Sequence, residues 1–134
     1  MTRISRYPLT SRQIEELSQR IIDTVTLMRS KEELALFFND LLTRTEKIML
    51  GKRLLIAFFL QRGYSYAEIS RWLKVSQTTI SSIKENLERD GRGFRVAMKK
   101  LEKEIKIERI FERIKQGLNV MPPMGKGRWR FSRQ

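Results

Sequence analysis

The sequence predicts an all-α, multi-helix protein, and three observations carry that prediction. Four segments match the capping-box pattern, a Ser or Thr followed three residues later by Glu or Gln: Thr10 with Gln13, Ser30 with Glu33, Thr43 with Glu46, and Ser65 with Glu68. Each opens a stretch whose apolar residues recur every three or four positions, the period of a helix. Leu9 with Ile14, and Tyr64 with Ile69, add the apolar staple that fixes how the chain enters a helix.

The first helix spans about 11–29, with Ile14, Leu17, Ile21, Val25 and Met28 along one stripe and charges opposite. The second runs from about 31 to 41 and is expected to bury Leu34, Phe37, Phe38 and Leu41. The third, about 44–62, ends at Gly63, a residue suited to a left-handed cap. Its run from Leu54 to Leu60 is apolar around the whole circumference and must be covered on all sides. A second subunit is the expected cover, and wrapping by the chain's own neighbouring helices is the alternative. Two short helices follow within about 65–89. Asp90-Gly91-Arg92-Gly93 then breaks the chain, and a basic helix runs from about 94 to 116. Its apolar face changes midway, from Phe94, Met98, Leu101 and Ile105 to Ile107, Ile110, Phe111 and Ile114 on the opposite side. Either the helix breaks near Ile105, or its halves pack against different partners. From Gly117 onward, Pro122, Pro123, Gly125 and Gly127 oppose regular structure. The expected organisation is an N-terminal arm at 1–9, an all-helical domain at 10–116, and a basic tail at 117–134, disordered when free.

Composition narrows the function classes. The 134 residues include no cysteine and no histidine, which excludes disulfides, thiolate metal sites and the usual general base. No acidic cluster has the spacing of a hard-metal site, so the sequence predicts no cofactor and no enzyme. The net charge of +13 is one-ended: zero across residues 1–42, +4 across 43–90 and +9 across 91–134. Such a field suits a polyanion laid against the C-terminal two-thirds, although an anionic membrane surface is attracted by the same charge. No signal-peptide core precedes the first helix, and Leu54 to Leu60 is too short to span a bilayer. A cytoplasmic protein, associated with the nucleoid, is the expectation.

The segment from Tyr66 to Lys84 has the spacing of a helix-turn-helix. Ile69 and Leu73 face inward from its first helix, Ile80 and Ile83 from its second, and Val75 enters the turn. Ser70 is small where the helices approach. Ser76 is suited to cap the second helix, with Val75 and Ile80 as its staple. Lys74 stands where most such motifs have glycine, at a modest backbone cost. The outward face of the second helix is short and polar: Ser76, Gln77, Thr78, Thr79, Ser81 and Ser82. Small side chains admit a helix deep into the major groove of double-stranded DNA. Gln77 can pair with adenine N6 and N7, and Thr78 can offer its hydroxyl or set its methyl on thymine. Ser76, Gln77, Thr78 and Ser82 are therefore the candidate base readers. Arg71, Lys74, Thr79, Ser81, Lys84 and Arg89 are the candidate phosphate contacts. Arg3 and Arg6 at one end, and Arg128, Trp129 and Arg130 at the other, are candidate arm contacts, cations mixed with aromatics as in minor-groove arms.

These residues resemble the Trp repressor family. Leu41-Leu42-Thr43 followed by Glu46, then Leu50-Gly51-Lys52-Arg53, Arg62-Gly63 and Thr79-Ile80-Ser81 follow its pattern from about Leu34 to Leu87, with one residue fewer after Gly63. The resemblance implies an intertwined helical homodimer whose paired second helices read a two-fold operator. It also implies a tryptophan site between two arginines, with glycine after the second. Thr43 and Arg53 match positions at that site, but Ser82 stands in place of the second arginine and Ile83 in place of the glycine. Ile83 is expected to fill the cavity and hold the reading helix without ligand, so any small-molecule ligand is not expected to be tryptophan. The leading expectation is a dimeric, sequence-specific transcription regulator that represses by occlusion. The alternative is an architectural or weakly specific binder of DNA or RNA, dominated by the basic C-terminal helix and tail.

Overall fold

The computed structural model describes residues 7–104 and 107–119. Seven helices and no strand occur among them: α1 (Ser11–Leu27), α2 (Lys31–Leu41), α3 (Arg44–Gln61), α4 (Tyr66–Leu73), α5 (Gln77–Asp90), α6 (Arg92–Glu104) and α7 (Ile107–Asn119). No helix among the described residues is long and apolar enough to cross a membrane. The chain divides into two compact units, residues 1–50 and 51–134, and the division falls inside α3.

The helix starts follow the capping residues. Thr10 and Gln13 exchange reciprocal hydrogen bonds of 2.9 and 3.1 Å, Thr43 and Glu46 do so at 2.8 and 3.1 Å, and Ser65 and Glu68 at 3.0 and 3.2 Å. The Ser30 segment departs from the expected box. Ser30 Oγ accepts the Glu33 N–H at 3.1 Å, but the Glu33 carboxylate reaches one residue further, to the Arg29 N–H at 2.8 Å. Either way an exposed N–H at the helix start is satisfied locally. Gly63 ends α3 with φ +87°, a conformation that side chains with a Cβ rarely adopt.

The first unit holds α1, α2 and the opening turns of α3. None of its described residues is fully buried. Val25, Met28, Leu34, Phe37, Phe38 and Leu42 are half-buried, the two phenylalanine rings lying 5.7 Å apart. Leu41, expected to be buried, is exposed, as are Ile14, Leu17 and Ile21 of the α1 stripe. The sequence periodicity assigns these residues to one face correctly, but a single copy of two short helices has no layer to set against it.

The second unit contains the core. Ile56, Ala57, Phe58 and Phe59 of α3 pack with Ile69, Trp72 and Leu73 of α4, Ile80 and Ile83 of α5, Met98 of α6 and Phe111 of α7. Phe59 is its hub, with ring centroids 5.4 Å from Tyr64, 5.4 Å from Trp72 and 4.7 Å from Phe111. Within one chain, residues 55–60 of the all-round apolar run are buried or half-buried by the chain's own helices, the alternative cover, and Leu54 remains exposed.

The helix after α5 begins earlier than Phe94. Asp90 pairs with the Arg92 guanidinium at 3.0 Å and accepts the Arg92 N–H at 3.2 Å, so α6 starts at Arg92 and only Gly91 interrupts the helices. A Cβ at Gly91 would lie 3.0 Å from the Leu87 carbonyl oxygen, too close for any other residue without a shift. Residues 105–106, where a break was one of the two expectations, lie outside the described residues. On either side, the two apolar stripes meet adjacent residues of α3: Phe94 sits edge-on to Phe58 at 6.5 Å, and Phe111 on Phe59. Arg62 joins both helices, its guanidinium 3.3 Å from Glu102 and 2.6 Å from Glu108. The last helix runs to Asn119, three residues beyond the expected end. Gly117 weakens a helix by only about 1 kcal/mol and does not stop one.

Candidate nucleic-acid interface

The turn between α4 and α5 is built from short-range bonds. Ser70 Oγ donates to the Val75 carbonyl at 2.6 Å, which explains a small hydroxyl residue there rather than a larger one. Lys74 adopts the left-handed conformation, φ 57° and ψ 53°, that glycine ordinarily supplies. Its carbonyl accepts a 3.1 Å bond from Lys52 Nζ on α3, so the strained turn is tied to the central helix. Partial burial holds the Lys52 pKa below its ordinary value. Ser76 caps α5, its Oγ accepting the Thr79 N–H at 3.2 Å and lying 3.0 Å from the Thr79 hydroxyl.

With Ile80 and Ile83 anchored in the core, α5 turns its remaining face outward. Ser76, Gln77, Thr78, Thr79, Ser81 and Ser82 are all exposed. A shallow groove along this face is lined by Tyr66, Gln77, Thr78, Ser81, Ser82 and Glu85. Three of the four candidate base readers, Gln77, Thr78 and Ser82, line that groove; Ser76 lies at the cap, engaged with Thr79. Ser81, read as a phosphate contact, shares the groove with them.

The flanking cations Arg71, Lys74, Lys84 and Arg89 are exposed, and none enters a salt bridge among the described residues. Arg71 lies 5.9 Å from the Trp72 ring centroid and Lys84 5.8 Å from that of Tyr66, while Arg89 bonds Asn86. Cations held over rings or to a neutral amide keep their charge available to phosphate. Arg3, Arg6, Arg128, Trp129 and Arg130 lie outside the described residues.

At the positions matched to a tryptophan site, Thr43 is occupied as the cap of α3 and Arg53 is exposed. Ser82 is exposed in the groove, whereas Ile83 is buried in the core.

Sequence reasoning missed three features. Lys52 is a lysine inside a helix, and nothing in its neighbours marks it as a turn anchor. Tyr66 and Glu85 belong to the groove, and 3.6-residue periodicity places Glu85 on the Thr78–Ser82 stripe, a signal that was available. Lys115 of α7 donates to Tyr64 Oη at 3.1 Å and lies 4.7 and 5.1 Å from the Tyr64 and Trp72 ring centroids, bracing α7 against the first helix of the motif.

A family model described as Trp repressor protein matches residues 10–102, which takes in α1 to α5 and most of α6 but none of α7. No curated protein and no solved structure matches the chain.

Proposed function

Since the chain belongs to the Trp repressor family, a family of helix-turn-helix DNA-binding regulators rather than enzymes, we propose that it is a sequence-specific repressor that acts by occluding its operator, with α5 as the reading helix in the major groove. The observation that carries this reading is the α5 face. Neutral, short, hydrogen-bonding side chains occupy its centre, and four cations with no salt bridge among the described residues flank it. That arrangement suits a base-reading surface: short hydrogen-bonding groups that approach base edges closely, and positive charge against phosphates. Selection of bound duplexes from a random pool tests it. A palindromic consensus, bound ~10³-fold or more tighter than random duplex at stated salt, is the expected result. Binding without a consensus would sink it.

The same reading makes the protein a homodimer. Ile14, Leu17, Ile21 and Ile22 of α1, Leu36 and Leu41 of α2, and Ile48, Met49, Leu50 and Leu54 of α3 are all 40 % exposed or more. Large aliphatic side chains in that number favour burial against a second copy, at about 25 cal/mol per Å² removed from water. Sedimentation equilibrium at micromolar concentration should give twice the monomer mass; a monomer would refute dimerisation.

Reading without tryptophan is supported by Ile83, which fills core space at the position matched to the family's glycine, and by Ser82, which offers no guanidinium. Calorimetric titration with tryptophan should show no binding in the micromolar range. Residues 1–9 and 117–134 complete the proposal as arms of a DNA-binding and dimerisation domain at 10–116, in a protein acting at the nucleoid. A second reading, the weakly specific architectural binder, is favoured by α6, whose Arg92, Arg95, Lys99, Lys100 and Lys103 are all exposed. The specificity ratio separates the two.

A further inference from the structure

We propose that Glu85 is a specificity-determining residue of the reading face, accepting a hydrogen bond from the exocyclic N4 amino group of a cytosine in the major groove. The assignment rests on the reading of α5 as the major-groove helix.

Glu85 is the acidic residue in the groove otherwise lined by Tyr66, Gln77, Thr78, Ser81 and Ser82. It is exposed, and its carboxylate has no hydrogen bond or salt bridge among the described residues. The cation placed to reach it on the same helix is engaged elsewhere: Arg89, four residues on, bonds Asn86. An unpaired carboxylate on a surface that meets a polyanion is repelled, unless a donor on the nucleic acid receives it.

The donors available in the major groove are the amino groups of cytosine and adenine. Adenine places the N7 acceptor beside its N6 amino group, which opposes the second carboxylate oxygen. Cytosine itself carries its N4 donor with no acceptor of its own in the groove, the guanine O6 lying on the pairing side as thymine O4 does for adenine, so the carboxylate favours cytosine. Seven residues separate Thr78 from Glu85, about 10 Å along the helix axis. Glu85 and Thr78 therefore meet different bases.

The test runs the random-duplex selection in parallel on the full-length wild type, Glu85→Ala and Glu85→Gln. Glu85 is exposed and without a partner among the described residues, so both variants keep the fold, which their thermal melts check. The expected result is a cytosine in each wild-type half-site that Glu85→Ala no longer selects. Discrimination at that position should fall by roughly 5- to 100-fold, the range for one good base contact. Glu85→Gln should shift it to adenine, whose N6 and N7 an amide matches together. Affinity of Glu85→Ala for random duplex should hold or rise, because a negative charge has been removed. One consensus shared by wild type and Glu85→Ala would overturn the assignment while leaving the α5 reading intact. A wild-type pool with no consensus would overturn both.

Discussion

Lys52 Nζ donates a 3.1 Å hydrogen bond to the main-chain carbonyl of Lys74, across 22 residues of sequence. Lys74 is the non-glycine residue with positive φ among those described, and it ends α4. The ammonium group thus satisfies a carbonyl left open at a helix C-terminus, where a positive charge is also favoured by the helix dipole. Replacing Lys52 by Met keeps the stem and removes the donor. Urea unfolding should show a loss of about 1 kcal/mol. Lys74→Gly relieves the left-handed strain and should stabilise by roughly 0.5–1 kcal/mol. An effect of neither change would mean that the turn holds without its anchor.

Lys115 braces α7 on the motif. Its side chain is 17 % exposed, lies over two aromatic rings and donates to Tyr64 Oη, a bond that raises its pKa above the ordinary value. Largely desolvated cation–π contacts contribute up to about 2 kcal/mol. Lys115→Met should therefore cost about 1–2 kcal/mol and speed hydrogen exchange in α4 more than in α1. Equal acceleration in both helices would argue for general destabilisation.

Ser82 and Ile83 are adjacent but face opposite ways, one into the groove and one into the core. Ile83→Ala should destabilise by about 3 kcal/mol, as cavity-forming core substitutions do. Ser82→Ala should leave the melting temperature within about a degree while weakening binding to the selected operator. Matching stability losses in both variants would contradict the orientation of α5.

The capping carboxylates set an acid limit. Glu68 has its pKa lowered from 4.5, chiefly by the hydrogen bond from the Ser65 N–H, and Glu46 likewise by that from Thr43. A carboxyl whose folded pKa lies below its unfolded one contributes stability that is present above the unfolded value and lost as pH falls through the folded value. Melting temperatures should fall as pH drops below about 4.5. The double variant Glu46→Gln, Glu68→Gln keeps the capping geometry without the titration, so its decline should be shallower.

Residues 118–134 carry four cations, Lys126, Arg128, Arg130 and Arg133, and no acidic residue. If all four meet phosphates, deleting the segment reduces the slope of log affinity against log salt by about 3.6 per subunit, or about 7 for the dimer. Binding should weaken equally for operator and random duplex. An unchanged slope would remove the tail from the interface.

What the sequence determined by itself is the local part of this protein. Thr10, Ser30, Thr43, Ser65 and Ser76 mark the helix starts because a cap is satisfied within three or four residues, whatever the rest of the chain does. The inner positions Ile69, Leu73, Ile80 and Ile83 were equally legible, since helical periodicity assigns faces before any packing is known. Packing decided the rest. The Lys52–Lys74 tie, the Lys115–Tyr64 brace 51 residues apart and the Arg62–Glu108 bridge 46 apart depend on which helices meet, and no local spacing encodes that. The apolar run of α3 shows the same division. Its composition demanded cover on every side, but only the placement of α4 to α7 around residues 55–60 decided that the chain supplies much of that cover itself, leaving the bare aliphatic surface on α1, α2 and residues 48–54. Burial is a sum over neighbours from distant sequence, so it follows the tertiary arrangement, whereas capping and helical facing follow the adjacent residues alone.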